Sequence, residues 1–64
     1  MKRKDLIAYL IIHGCLFERE GRRHSVYYNP KNQKNSTMPR HNEINTYTAK
    51  AICKDLEIPI IEIK

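Results

Sequence analysis

The sequence has no tryptophan, one phenylalanine, two glycines and two cysteines among its 64 residues. Cys15 and Cys53 are too few for the disulfide framework of a small secreted domain, and no paired Cys/His spacing marks a zinc site, so no metal or other cofactor is expected. Both read as reduced, buried, small apolar residues of a cytoplasmic protein. No stretch approaches the ~20 apolar residues of a membrane span, which predicts a soluble chain without a membrane partner. The start Met1-Lys2-Arg3-Lys4 followed by Leu6 to Ile12 has the outline of a signal peptide, but Asp5 interrupts its junction and His13 stands where cleavage requires small residues. A carboxylate pair, a Gly-rich phosphate loop and a Ser/His/Asp order are missing as well, which excludes the commonest catalytic constellations.

Acidic residues are scarce too. Seven Asp and Glu face twelve Lys and Arg, for a net charge of +5. The window from Arg19 to Arg40 holds six basic residues (Arg19, Arg22, Arg23, Lys31, Lys34, Arg40) and one acid, Glu20, and so carries the whole excess. Charge gathered in the middle third of a chain, beside His24 and His41, points to a polyanionic partner rather than a uniformly solvated surface. The length allows one domain, residues 1–64, whose core supplies no more than about 3 to 5 kcal/mol unless a partner adds to it.

The apolar pattern predicts an α-β-β-β-α order. Leu6, Ile7, Leu10 and Ile11 make a stripe on a helix over 3–13, which Gly14 stops, while Ile12 points away from the stripe. Residues 15–19 and 23–29 read as antiparallel strands joined at Glu20-Gly21-Arg22. A polar turn over 29–35 leads to a short third strand, Ser36-Thr37-Met38, closed by Pro39. Asn45 caps a second helix, with Ile44 and Ala49 as a hydrophobic staple and Ala49, Ile52, Cys53 and Leu56 as its stripe, and Pro59 ends it. The tail Ile60 to Lys64 is a candidate edge strand or a segment that orders on a partner. The fold class is α+β, a three-stranded antiparallel sheet with both helices on one face, because two one-striped helices share the cheapest common surface there.

The chemistry concentrates in Gly21-Arg22-Arg23-His24-Ser25-Val26-Tyr27-Tyr28. Guanidinium groups bind phosphate through forked hydrogen bonds and stabilise the charge that develops when a phosphodiester is attacked. Imidazole moves a proton near neutral pH. Together they suffice for RNA cleavage without a metal, the 2′-hydroxyl serving as the internal nucleophile that DNA lacks. Arg22, Arg23, Lys31, Lys34, Arg40 and His41 are the candidate RNA contacts. The bland alternative is a solvated hairpin, and for His13 a favourable place at a helix C-terminus. Of Tyr27 and Tyr28, period two turns only one outward to stack on a base, and a bulge near Gly21 would re-aim His24.

Three ordered segments carry a family likeness: Lys2-Arg3-Lys4-Asp5-Leu6-Ile7, then Gly21 to Pro30, then Ser36-Thr37-Met38-Pro39-Arg40-His41, followed by Leu56-Glu57-Ile58-Pro59. Over nearly its whole length the chain resembles the HicA toxins, the mRNA-cleaving partners in HicA/HicB type II toxin–antitoxin pairs. That resemblance implies a double-stranded-RNA-binding-like fold and a metal-independent endoribonuclease (mRNA interferase) silenced by a HicB-type antitoxin. It also implies one catalytic histidine at the start of the second strand, the position of His24. Arg23 stands where the family usually has serine or glycine, and Met38-Pro39-Arg40-His41 matches a Val-Pro-x-His-like segment. The alternative function is a non-catalytic RNA-binding module using the Arg19 to Arg40 surface, and a weaker one is an adaptor using Ile12 and the tail.

Overall fold

A computed structural model describes residues 1–62. Helix α1 (Arg3–Ile12) is followed by strands β1 (Leu16–Glu20), β2 (His24–Asn29) and β3 (Lys34–Pro39) and by helix α2 (Thr46–Asp55). The expected α+β order is therefore present, and the sheet is an antiparallel meander, β1-β2-β3. Residues 60–62 have no regular structure, and the remainder of the tail lies outside the described residues.

Both helices pack on one sheet face. Leu6 and Leu10 of α1 and Ala49, Ile52 and Cys53 of α2 share a single buried cluster with Tyr27 and Met38 of the sheet, completed by Cys15, Ile44, Leu56 and Ile58. Cys15 and Cys53 are free and buried, and burial raises both thiol pKa values above the usual range. The α1 stripe is narrower than its sequence suggests. Leu6 and Leu10 are fully buried and Ile7 partly so, but Ile11 remains 55% exposed, because the helix carries apolar residues on more sides than one small sheet can cover.

The helix ends follow from local chemistry. At α1, the Gly14 amide donates to the Ile11 carbonyl and the Cys15 amide to the Leu10 carbonyl, the paired bonds of a Schellman cap, with Gly14 at a φ of 85°. The Asn45 side chain caps α2 by accepting from the Thr48 amide at 2.8 Å. Its C-terminus repeats the α1 geometry, with Glu57 donating to Lys54 and Ile58 to Cys53. Glu57 thus holds the left-handed position at a φ of 55°, and the helix stops at Asp55 through this cap, before Pro59 can end it.

Strand β3 begins at Lys34, two residues earlier than its composition suggests, so the β2–β3 turn contracts to Pro30–Gln33. Two side-chain turns tighten it: Asn29 Oδ1 accepts from the Lys31 amide at 3.0 Å and Asn32 Oδ1 from the Lys34 amide at 2.8 Å. The same two asparagines donate through Nδ2 to the Leu56 carbonyl at 2.9 and 3.1 Å, docking the turn on the end of α2. Among the described residues no buried side-chain polar atom lacks a partner.

A Cβ built on Gly14 meets nothing within 4 Å, so the cost of a side chain there is backbone strain alone. Gly14→Ala is expected to lose about 1–2 kcal/mol, lowering the melting temperature by about 4–8 °C per kcal/mol. An unchanged melt would show that the left-handed cap does not limit stability.

Candidate active site

The pairing of β1 with β2 is irregular. Leu16 faces Tyr28 and Phe17 faces Tyr27, but the next pairs are Arg19 with Val26 and Glu20 with Ser25, so one extra residue, Glu18, is accommodated as a bulge. The irregularity lies in mid-strand rather than beside Gly21, where the glycine suggested it. Its consequence is a change of side for everything beyond Glu18. Arg19 joins the face opposite the helices and Glu20 turns toward them, the reverse of what strict alternation from Leu16 predicts.

Alternation along β2 then divides the strand. Ser25, Tyr27 and Asn29 face the helices: Ser25 accepts from Arg3 of α1, the Tyr27 ring lies edge-on to Phe17 at 5.7 Å in the core, and Asn29 donates to Leu56. His24, Val26 and Tyr28 occupy the open face. Tyr28 is therefore the outward tyrosine. His24 is exposed, and the open face around it forms a concavity of about 330 Å³ lined by Arg19, Gly21, Arg22, Arg23, Val26 and Thr37. A slightly larger depression of about 400 Å³, lined by Lys2, Arg3, Lys4, Ile7, Asn42 and Glu43, holds no histidine, and the chemistry favours the former.

The turn bearing Arg22 and Arg23 is held from below. Gly21 donates to the His24 carbonyl at 2.7 Å, so close that a Cβ on residue 21 would stand 2.9 Å from that oxygen. Arg40, just past β3, donates through Nη2 to the Gly21 carbonyl and through Nη1 to the Arg22 carbonyl at 3.3 Å, while its Nη2 lies 2.9 Å from Glu20 Oε1. Glu20 in turn accepts from Ser25 Oγ at 2.9 and 3.0 Å. Ser25 Oγ accepts from Arg3 Nη2 at 2.9 Å, and Arg3 Nε reaches the Pro39 carbonyl at 2.8 Å. Since Pro39 pairs with His24, this Arg3–Ser25–Glu20–Arg40 chain fixes the backbone on both sides of the histidine.

The candidate RNA contacts separate accordingly. Arg22 and Arg23 are exposed beside His24, and among the described residues neither has a carboxylate within ion-pair distance. Arg19 joins them, in contact with Glu18 at 3.4 Å. It belongs to the basic window but not to the expected contact set, and only the bulge, which leaves no glycine or proline signal, brings it to the site. Arg40 is engaged in the turn. Lys31 and Lys34 are exposed at the opposite end of the sheet, about 17 Å from His24 for five strand residues. His41 follows Arg40 in an exposed bend outside the concavity, and His13 packs on Tyr9 at 4.4 Å, far from this chemistry in the chain. Among the described residues no three His, Cys, Asp or Glu side chains converge on a metal-sized site, and no helix is long and apolar enough to cross a membrane.

Fold and site together define a small α+β domain whose basic concavity surrounds one histidine. The comparison with protein families makes this specific: the model for the HicA toxin of bacterial toxin–antitoxin systems matches residues 3–58. The chain belongs to that family and is thus a toxin of the toxin–antitoxin kind. No curated protein and no solved structure matches it.

The Ser25 hydrogen bonds, with help from Arg40 and Arg3, hold the Glu20 carboxyl below the usual carboxylate range against a smaller opposing effect of burial. A depressed folded-state pKa gives stability that is present above the unfolded value and lost as pH falls through the folded one. Melting from pH 7 toward pH 3 should therefore erase the difference between the parent and Glu20→Gln, the parent being the more stable only at the neutral end. A difference that persists into acid would dissociate Glu20 from the pH response.

Proposed function

We propose that this toxin is an endoribonuclease that cleaves mRNA without a metal ion, with His24 as its general acid or base. The observation that carries the reading is the strand alternation that puts His24 on the open face, in one exposed concavity with Arg19, Arg22 and Arg23. A phosphodiester seated among these guanidinium groups presents its neighbouring 2′-hydroxyl to the imidazole. His24 accepts that proton, the O2′–P bond forms as the P–O5′ bond breaks, O5′ leaves with a proton taken from solvent water, and the imidazolium returns its proton to solvent. The products are a 2′,3′-cyclic phosphate and a 5′-hydroxyl. The arginines stabilise the additional negative charge on phosphorus oxygens in the transition state.

Arg40 acts as a positioning residue in this scheme, since its donors are directed to the turn carbonyls and Glu20 rather than to the concavity. The natural inhibitor is a HicB-type antitoxin. A partner that covers the His24 face blocks access to the phosphate and, by binding only the folded toxin, stabilises it by about 2.7 kcal/mol at a free concentration one hundred times its dissociation constant.

The test is cleavage of RNA by the purified chain, with and without chelator, alongside melting of the same preparations. His24→Ala is expected to lose about 10²- to 10⁴-fold in rate while melting close to the parent, because the side chain is exposed and outside the core. A folded and fully active His24→Ala protein would falsify the assignment. Loss confined to His41→Ala would move the role there, dependence on a divalent ion would end the metal-free reading, and binding without cleavage by the parent would leave the RNA-binding alternative.

A further inference from the structure

The open sheet face continues beyond the His24 concavity, and its residues run in rows across the strands. His24 and Pro39 form the first row, Arg19, Val26 and Thr37 the second, and Leu16, Tyr28 and Asn35 the third. Lys34 pairs with Asn29 and shares that residue's side, toward the helices, so the open face ends at the third row and the β2–β3 turn. Along one strand the face thus reads cationic at the His24 end, then uncharged and aromatic. Tyr28 is half-buried, flanked across the strands by an exposed Leu16 and an exposed Asn35. Its twin Tyr27 supplies the core contact, so packing of the helices does not account for Tyr28.

We infer that an unpaired RNA strand lies along β2, its scissile phosphate at Arg22, Arg23 and His24 and the base of a nucleotide a few positions away stacked on Tyr28. The inference rests on the reading of the chain as an RNA-cleaving toxin and names the substrate class of that site. Four strand residues from His24 to Tyr28 span about 13 Å, a distance that an unstacked strand of a few nucleotides covers. Aromatic rings on an open sheet hold bases of any identity through their π-faces, and the cations at the His24 end hold the backbone. A duplex fits less well. It is recognised by shape and by phosphates on two strands, and its bases are already stacked on each other and unavailable to Tyr28.

The experiment separates this inference from the cleavage reading by measuring binding in the His24→Ala background, where nothing is cut. Fluorescently labelled oligoribonucleotides of three to eight nucleotides, and an eight-base-pair RNA duplex, are titrated at fixed salt. Affinity for the single strands is expected to rise steeply up to about five nucleotides and then level off, with the duplex weaker. Adding Tyr28→Leu is expected to reduce affinity about 5- to 150-fold and Tyr28→Phe to restore most of it. In the His24-competent protein the same Tyr28→Leu change should raise KM with kcat nearly unchanged, a split that a general loss of folding does not produce. Equal affinity of Tyr28→Leu and parent for the five-nucleotide strand, or tighter binding of the duplex, would overturn the inference whether or not the chain cleaves RNA. Failure of the parent to cut RNA, with the binding pattern intact, would overturn the cleavage reading alone.

Discussion

The Ser25 hydroxyl is the hinge of the whole arrangement. It accepts from Arg3 at the start of α1 and donates to Glu20 at the end of β1, and Glu20 holds the Arg40 guanidinium that closes the turn before His24. One side chain on the middle strand therefore ties the first helix, the bulged edge strand and the exit of the third strand to the same backbone segment. A hydrogen bond to a charged group is worth more than a neutral one, and this network joins two guanidinium groups and a carboxylate through a single oxygen. The exposed arginines and histidine owe their spacing to it, since a loop of three residues with no contacts of its own would let them wander.

Strand β2 carries two duties on alternate residues. Odd positions from Ser25 to Asn29 serve the helices, and even positions from His24 to Tyr28 serve the open face. In a chain of 64 residues this economy is forced, because the core has one sheet to rest on and no second layer behind the other face. The open face is accordingly left without a covering layer. Val26 is nearly as buried as the core residues although it lies on that side, shielded by its neighbours Arg19 and Thr37 rather than by a helix.

Most of this architecture was readable from local patterns. The α2 stripe, the Asn45 cap, the Gly14 stop, the meander and the outward turn of one of two adjacent tyrosines all follow from spacings within a few residues. So did the presence of His24 beside two arginines. What stayed hidden depends on contacts between distant segments. Arg40 looks like one more phosphate ligand until its carbonyl partners, eighteen and nineteen residues away, are known. The Glu18 bulge has no special residue to announce it, and without it Arg19 would be assigned to the wrong face. Lys31 and Lys34 look contiguous with the arginine pair in a charge count, yet the meander carries them to the other end of the sheet.

The same bulge shapes the rim of the molecule. A three-stranded sheet has two free edges, and each is a template on which a second chain can add a strand. Here one edge is broken by Glu18 and lined by Glu18, Arg19 and Glu20, and the other runs out in Pro39, which has no amide to offer. The sheet is bounded rather than extensible. Each edge is thus a poorer template for strand addition than a long, flat, fully amide-bearing one.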